Sequence, residues 1–181
     1  GKTLNAANLA ATMAQTGASV LVLDCDLRRP KLHEILGVSR EPGVSNLLAG
    51  GLAPEQVIQA TAVPRLDVVP TGVIPPNPAE LLSSRRMAEF IKEMRQRYDA
   101  IIVDSPPVTP VTDASVLATS ADGVILVARS GHTTKDVARR ALRQLQALNA
   151  KILGAVLNGV DDRQGAAARR YYGESERDLA V

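Results

Sequence analysis

Three acids, one lysine and one threonine are the residues whose types and spacing suggest chemistry. Gly1-Lys2-Thr3 has the wording of the last three positions of the phosphate-binding loop G-x-x-x-x-G-K-[ST]. In such a loop backbone N–H groups surround the phosphates, the Lys reaches the β- and γ-phosphates, and the Ser or Thr hydroxyl binds Mg²⁺. A tripeptide recurs by chance, so the weight falls on the strands downstream of it. The run SVLVLDCDLRRP puts Asp24 and Asp26 at the carboxyl end of a hydrophobic stretch, where open α/β sheets bind their ligands. Strand alternation points both to the same side. Two carboxylates converging on one place are costly without a cation to bind or a proton to accept. A second run, AIIVD, ends in Asp104, the pattern of a Walker-B strand whose carboxylate supports Mg²⁺.

These side chains need a scaffold that brings strand ends together. Apolar runs alternate with longer helical patterns along the chain, the βαβ signature of a parallel sheet. Four runs read as buried strands: Ser19–Asp24, Asp99–Asp104, Gly123–Ala128 and Ile152–Leu157. Leu66–Pro70 reads as an additional, more peripheral strand. Thr3–Gln15 is Ala-rich and helical, and Gly17 is placed to end it. Asn77 and Pro78 look like a helix cap and first turn, and Thr133 or Thr134 caps a long helix reaching Leu148. Glu89, Glu93, Arg95 and Arg97 read as a solvated face. The apolar pattern stops at Asp161, so the expected organisation is a core over 1–160 and a flexible tail over 161–181.

Composition narrows the class. The chain has 181 residues, enough for one domain, and its apolar residues are mainly Ala, Val, Leu and Ile. That suits an α/β fold with a mostly parallel sheet and helices on both faces. A net charge of +2 without a clustered basic face gives no reason to expect nucleic acid, and Arg139, Arg140 and Arg143 read as a solvated helix face. The single Cys25 can form no internal disulfide, which points to a reduced, cytoplasmic setting. Cys25, between two acids, reads as a small buried thiol; His33 and His132 lack metal-ligand spacing.

The segments GKTLNAANLA, VLVLDCDLRRPKLH, GVSNLLAG, LDVVPTGVIPPNPAELLSS, YDAIIVDSPPVTPVTDA, DGVILVARSGHTT and LGAVLNGV together resemble the bacterial tyrosine kinases. These are P-loop ATPases unrelated in fold to eukaryotic protein kinases, and the resemblance runs from Gly1 to Val160. It implies an ATP-dependent protein-tyrosine autokinase that regulates capsule or exopolysaccharide synthesis, with ATP and Mg²⁺ as cofactors. Lys2 would hold phosphates and Thr3 and Asp104 would bind the metal; of the catalytic pair Asp24 and Asp26, one would accept the tyrosine proton and the other aid the metal, with Asp24 favoured as the base and Asp26 as the ligand. Gly1 would complete the nucleotide loop, and Asn158 is a candidate adenine contact or, equally, a turn residue before Gly159. Tyr171 and Tyr172 in the tail would be the phosphate acceptors, whereas Tyr98 reads as scaffold. A membrane-embedded chain-length regulator is the implied partner, a homo-oligomer the implied assembly, and the inner face of the plasma membrane the implied location. The competing expectations are a Min/Par-type ATPase switch and a catalytically weak nucleotide-binding regulator.

Measured against that family, the sequence starts inside the phosphate loop. The expectation is an N-terminally truncated copy that lacks the first strand and leaves a gap between its neighbours. Such a copy would bind ATP less well than the intact protein.

Overall fold

Alternation along one strand organises both halves of the core. The computed structural model describes residues 1–109 and 112–160. In β1 (Val20–Asp24), Leu21 and Leu23 face one side of the sheet, while Val20 and Val22 face the other. The first pair packs with Leu47, Leu48, Phe90 and Met94, the second with Ala7, Ala10, Ala14 and Val68. Every residue of β1 is buried, as a parallel strand covered on both faces must be.

The helices that cover the sheet follow from their sequences. Helix α1 (Lys2–Gln15) presents alanines to the sheet, which allows close approach, and Gly17 at φ 100° follows its end. Three short helices follow β1: α2 (Leu32–Leu36), α3 (Val44–Ala49) and α4 (Pro54–Val57). After α5 (Pro78–Leu82), α6 (Arg85–Met94) buries Met87, Phe90 and Met94 on one stripe and carries its charges outside. Helix α7 (Asp113–Ser120) follows β4 (Ala100–Asp104), and α8 (Lys135–Ala147) joins β5 (Val124–Arg129) to β6 (Ile152–Asn158). Of the two threonines expected to cap α8, Thr134 accepts from the Val137 N–H at 3.3 Å. Thr133 instead accepts from the Arg129 N–H. Asn77 precedes α5 as expected, but its side chain bonds Glu80 rather than a backbone N–H.

Topology corrects one expectation. The strand expected to be peripheral, β3 (Leu66–Val69), is interior. It pairs in parallel with β1 and antiparallel with a two-residue β2 (Gln59–Ala60), giving the order β2-β3-β1-β4. Its run is short and contains Asp67, which hides its burial from a reading by hydropathy. That aspartate accepts the Tyr98 hydroxyl at 2.8 Å, so Tyr98 is scaffold.

Strands β5 and β6 form a separate parallel ladder, and among the described residues no strand pairing joins it to β4. The sheet is therefore mostly parallel but interrupted. Beyond it, Leu153 and Leu157 of β6 are exposed.

Candidate nucleotide-binding site

Register brings the acids together. Asp24 and Asp104 are the last residues of β1 and β4, and they are paired in the parallel ladder. The Cys25 N–H donates to the Asp104 carbonyl at 2.9 Å, which carries the pairing one residue past the strand end. Beyond it the chain turns: Asp26 Oδ1 accepts from the Arg29 N–H at 3.0 Å and from the Arg28 N–H at 3.4 Å. Asp24, Asp26 and Asp104 are all buried.

Burial leaves its mark on these groups. It raises the Asp24 pKa above the ordinary carboxylate value, against hydrogen bonds from neighbours that include the Leu32 N–H. Asp104 is pushed up to about 6, first by desolvation and then by the charges of Asp24 and Asp26. The Thr3 hydroxyl and the Lys2 ammonium pull it back, so the first turn of α1 faces the same carboxylate. Cys25, wholly buried beside Asp24 and Asp104, has its thiol pKa raised and stays a protonated packing residue.

Two buried carboxylate oxygens, Asp24 Oδ1 and Asp104 Oδ2, have no hydrogen-bond partner. Orphaned anionic oxygens in a dry site are unfavourable unless a cation or a proton meets them. Among the described residues no three His, Cys, Asp or Glu side chains are arranged to hold a metal unaided. The three acids therefore do not form a closed cage. Mg²⁺ commonly takes one or two carboxylates and completes its shell with waters and phosphates, so this donor set fits it.

Gly1 is the N-cap of the 14-residue α1, whose positive dipole end and free N–H groups suit an anion. Asn158 stands beside it: a Cβ placed on Gly1 would lie 2.7 Å from Asn158 Nδ2. Asn158 Oδ1 is engaged locally by the Gly159 N–H, which leaves its amide nitrogen toward Gly1. Thus Gly1, Lys2, Thr3, Asp24, Asp26, Asp104 and Asn158 lie at one end of the strands. Tyr171 and Tyr172 lie outside the described residues.

Two neighbours escaped the sequence reading. Thr71 follows β3, is fully buried and donates its hydroxyl to the Asp24 carbonyl at 3.3 Å. Asp113, in the first turn of α7, takes both its oxygens to Arg28. Nothing local distinguishes such an aspartate from an ordinary helix-start acid.

A parallel sheet with carboxylates at its strand ends, facing the G-K-T start of a helix, defines a P-loop NTPase. The family model described as ParA, "NUBPL iron-transfer P-loop NTPase", matches residues 1–161. Tyrosine-protein kinase YwqD of Bacillus subtilis is 44% identical over 159 residues, covering 88% of this chain and 67% of that protein. The solved kinase domain of Escherichia coli tyrosine kinase ETK is 40% identical with a TM-score of 0.82, covering 86% of this chain and 61% of that one. MinD of Pyrococcus horikoshii, solved with Mg-ADP, is 27% identical with a TM-score of 0.75, covering 94% of this chain and 71% of that one. The chain belongs to the bacterial tyrosine-kinase family of P-loop NTPases. It spans 21% and 22% of the length of the EpsB relatives from two Ralstonia species.

Proposed function

We propose that the protein is an ATP-dependent protein-tyrosine autokinase that regulates capsule or exopolysaccharide synthesis and export. The observation that carries the reading is the pairing of Asp24 with Asp104 beside Lys2 and Thr3, with one oxygen of each carboxylate unpartnered. The kinship with YwqD and ETK supports tyrosine as the acceptor.

In this reading Lys2 and the N–H groups at the start of α1 bind the phosphates of ATP. Thr3, Asp26 and Asp104 would hold Mg²⁺, which when bound would neutralise charge on the transferred phosphoryl group. Asp24, whose pKa burial raises, accepts the proton of the attacking tyrosine hydroxyl. The phenolic oxygen forms the new bond to the γ-phosphorus as the bond to ADP breaks. Asn158 contributes an amide donor toward the nucleotide. The acceptors are Tyr171 and Tyr172, presented by one copy to the site of another. Phosphate there would reverse the local basic charge of Arg169 and Arg170. The partner is a membrane-embedded chain-length regulator, which places the protein at the inner face of the plasma membrane. Among the described residues no helix is long and apolar enough to cross a membrane.

An iron carrier, the activity in the family model's description, would call for thiolate ligands, and the buried Cys25 is the chain's single cysteine. The deciding experiment incubates the full-length protein and its membrane activator with ATP and Mg²⁺ and maps the phosphate. Label on Tyr171 or Tyr172, lost in Lys2→Ala, is the expected result. Hydrolysis without tyrosine label would instead indicate a Min/Par-type switch, and neither signal a non-catalytic regulator.

A further inference from the structure

The turn that carries Asp26 is tied to a part of the fold far away in sequence. Arg28 reaches across to α7 and grips Asp113 fork to fork, Nε to Oδ2 at 2.8 Å and Nη2 to Oδ1 at 3.1 Å. The Asp113 side chain is fully buried, whereas that of Arg28 is 43% exposed. Burying a carboxylate is costly, and apolar side chains of similar volume commonly replace buried ion pairs without loss of stability. Stability alone therefore gives a weak account of this pair. A bidentate pair does supply direction, because it fixes the plane of the guanidinium as well as its distance.

That direction bears on the reacting end of the sheet. Asp26 is oriented by the backbone N–H groups of Arg28 and Arg29, so the pose of its carboxylate follows the pose of the turn. The turn follows β1, and α7 follows β4, the two strands whose ends carry the paired Asp24 and Asp104. The three carboxylates repel one another there, which favours opening of the loops that hold them. A tie between those loops opposes that opening.

We propose that Asp113 is a positioning residue for phosphotransfer, holding through Arg28 the turn that aims Asp26. The proposal rests on the phosphotransfer reading above, and its test has one arm that does not. In the full-length protein, Asp113→Asn keeps the shape and removes the charge. Arg28→Lys keeps the charge and removes the fork, and changes a partly exposed residue, so it also serves if the buried substitution disturbs folding. Both variants should lower kcat for tyrosine phosphorylation about tenfold or more, the scale of misplacing a group near the chemistry. KM for ATP should rise by a smaller factor than kcat falls, since phosphate binding is assigned to Lys2 and α1 and the variants disturb only the Asp26 contact.

Independently of activity, amide hydrogen exchange should accelerate at Arg29, whose N–H the turn protects, and stay unchanged at Val22 in the centre of β1. Unchanged Arg29 exchange together with unchanged kcat in Arg28→Lys would overturn the proposal. Parallel loss at Arg29 and Val22 would also overturn it, by reducing the pair to general stability. A wild-type protein that transfers no phosphate to tyrosine would sink the kinase reading instead, and the exchange arm would still decide whether Asp113 holds the turn.

Discussion

Asp104 sits at the buried end of β4 with one oxygen unpartnered, and its pKa is raised from 3.8 to about 6. A carboxyl whose pKa is higher folded than unfolded binds its proton more tightly in the native state. Its ionisation therefore costs stability, and the cost grows as pH rises from about 4 to about 6, then stays complete above that window. At neutral pH the cost is on the order of 3 kcal/mol. Asp104→Asn should accordingly stabilise the nucleotide-free protein near pH 7 and confer little near pH 4, as read by denaturant unfolding at the two pH values. Equal effects at both pH values would contradict the raised pKa. The identities of Asp24, Asp26 and Asp104 were legible in the sequence because each ends or follows an apolar run. Thr71 and Asp113 were not, because their contacts with Asp24 and Arg28 depend on tertiary placement.

The elements hold the site through close backbone contact as much as through side chains. Gly43 opens α3 against the chain that leaves β3: a Cβ there would lie 2.0 Å from the Pro70 carbonyl oxygen and 2.4 Å from the Gly72 nitrogen. The Val44 and Ser45 N–H groups donate to the Pro70 and Thr71 carbonyls, so this crossing buttresses the loop that touches Asp24. Gly43→Ala should destabilise the fold by about 1–3 kcal/mol, the usual cost of overpacking, measured by chemical denaturation. Gly51→Ala, whose added carbon would come no nearer than 4.0 Å to a neighbouring atom, is the control and should be close to neutral. A mild Gly43→Ala effect would mean that the crossing gives way easily. The run VLVLD was readable because an unbroken apolar stretch closed by an acid marks a strand covered on both faces, whereas α6 was read only through its solvated charges. Helices α2, α3 and α4 span no more than six residues each, too few for a 3.6-residue pattern to show. The interior position of β3 was hidden by its length and by Asp67.

Across the whole molecule, the candidate site joins parts that the sequence keeps apart: the start of α1, the ends of β1 and β4, and Asn158 at the end of β6. The α/β class with a mostly parallel sheet could be read from the alternation of runs. The resemblance predicts a gap between two strands; that it falls between β4 and β5 is a property of pairing, and composition carries no trace of its place. The most direct measurement mixes two full-length variants with the membrane activator, Mg²⁺ and labelled ATP. One variant carries Lys2→Ala with both tail tyrosines intact; the other keeps the site and carries Tyr171→Phe and Tyr172→Phe. The account predicts phosphate on Tyr171 or Tyr172 of the Lys2→Ala chains only when the site-intact chains are present. Label on Lys2→Ala chains incubated alone, or none in the mixture, would contradict it.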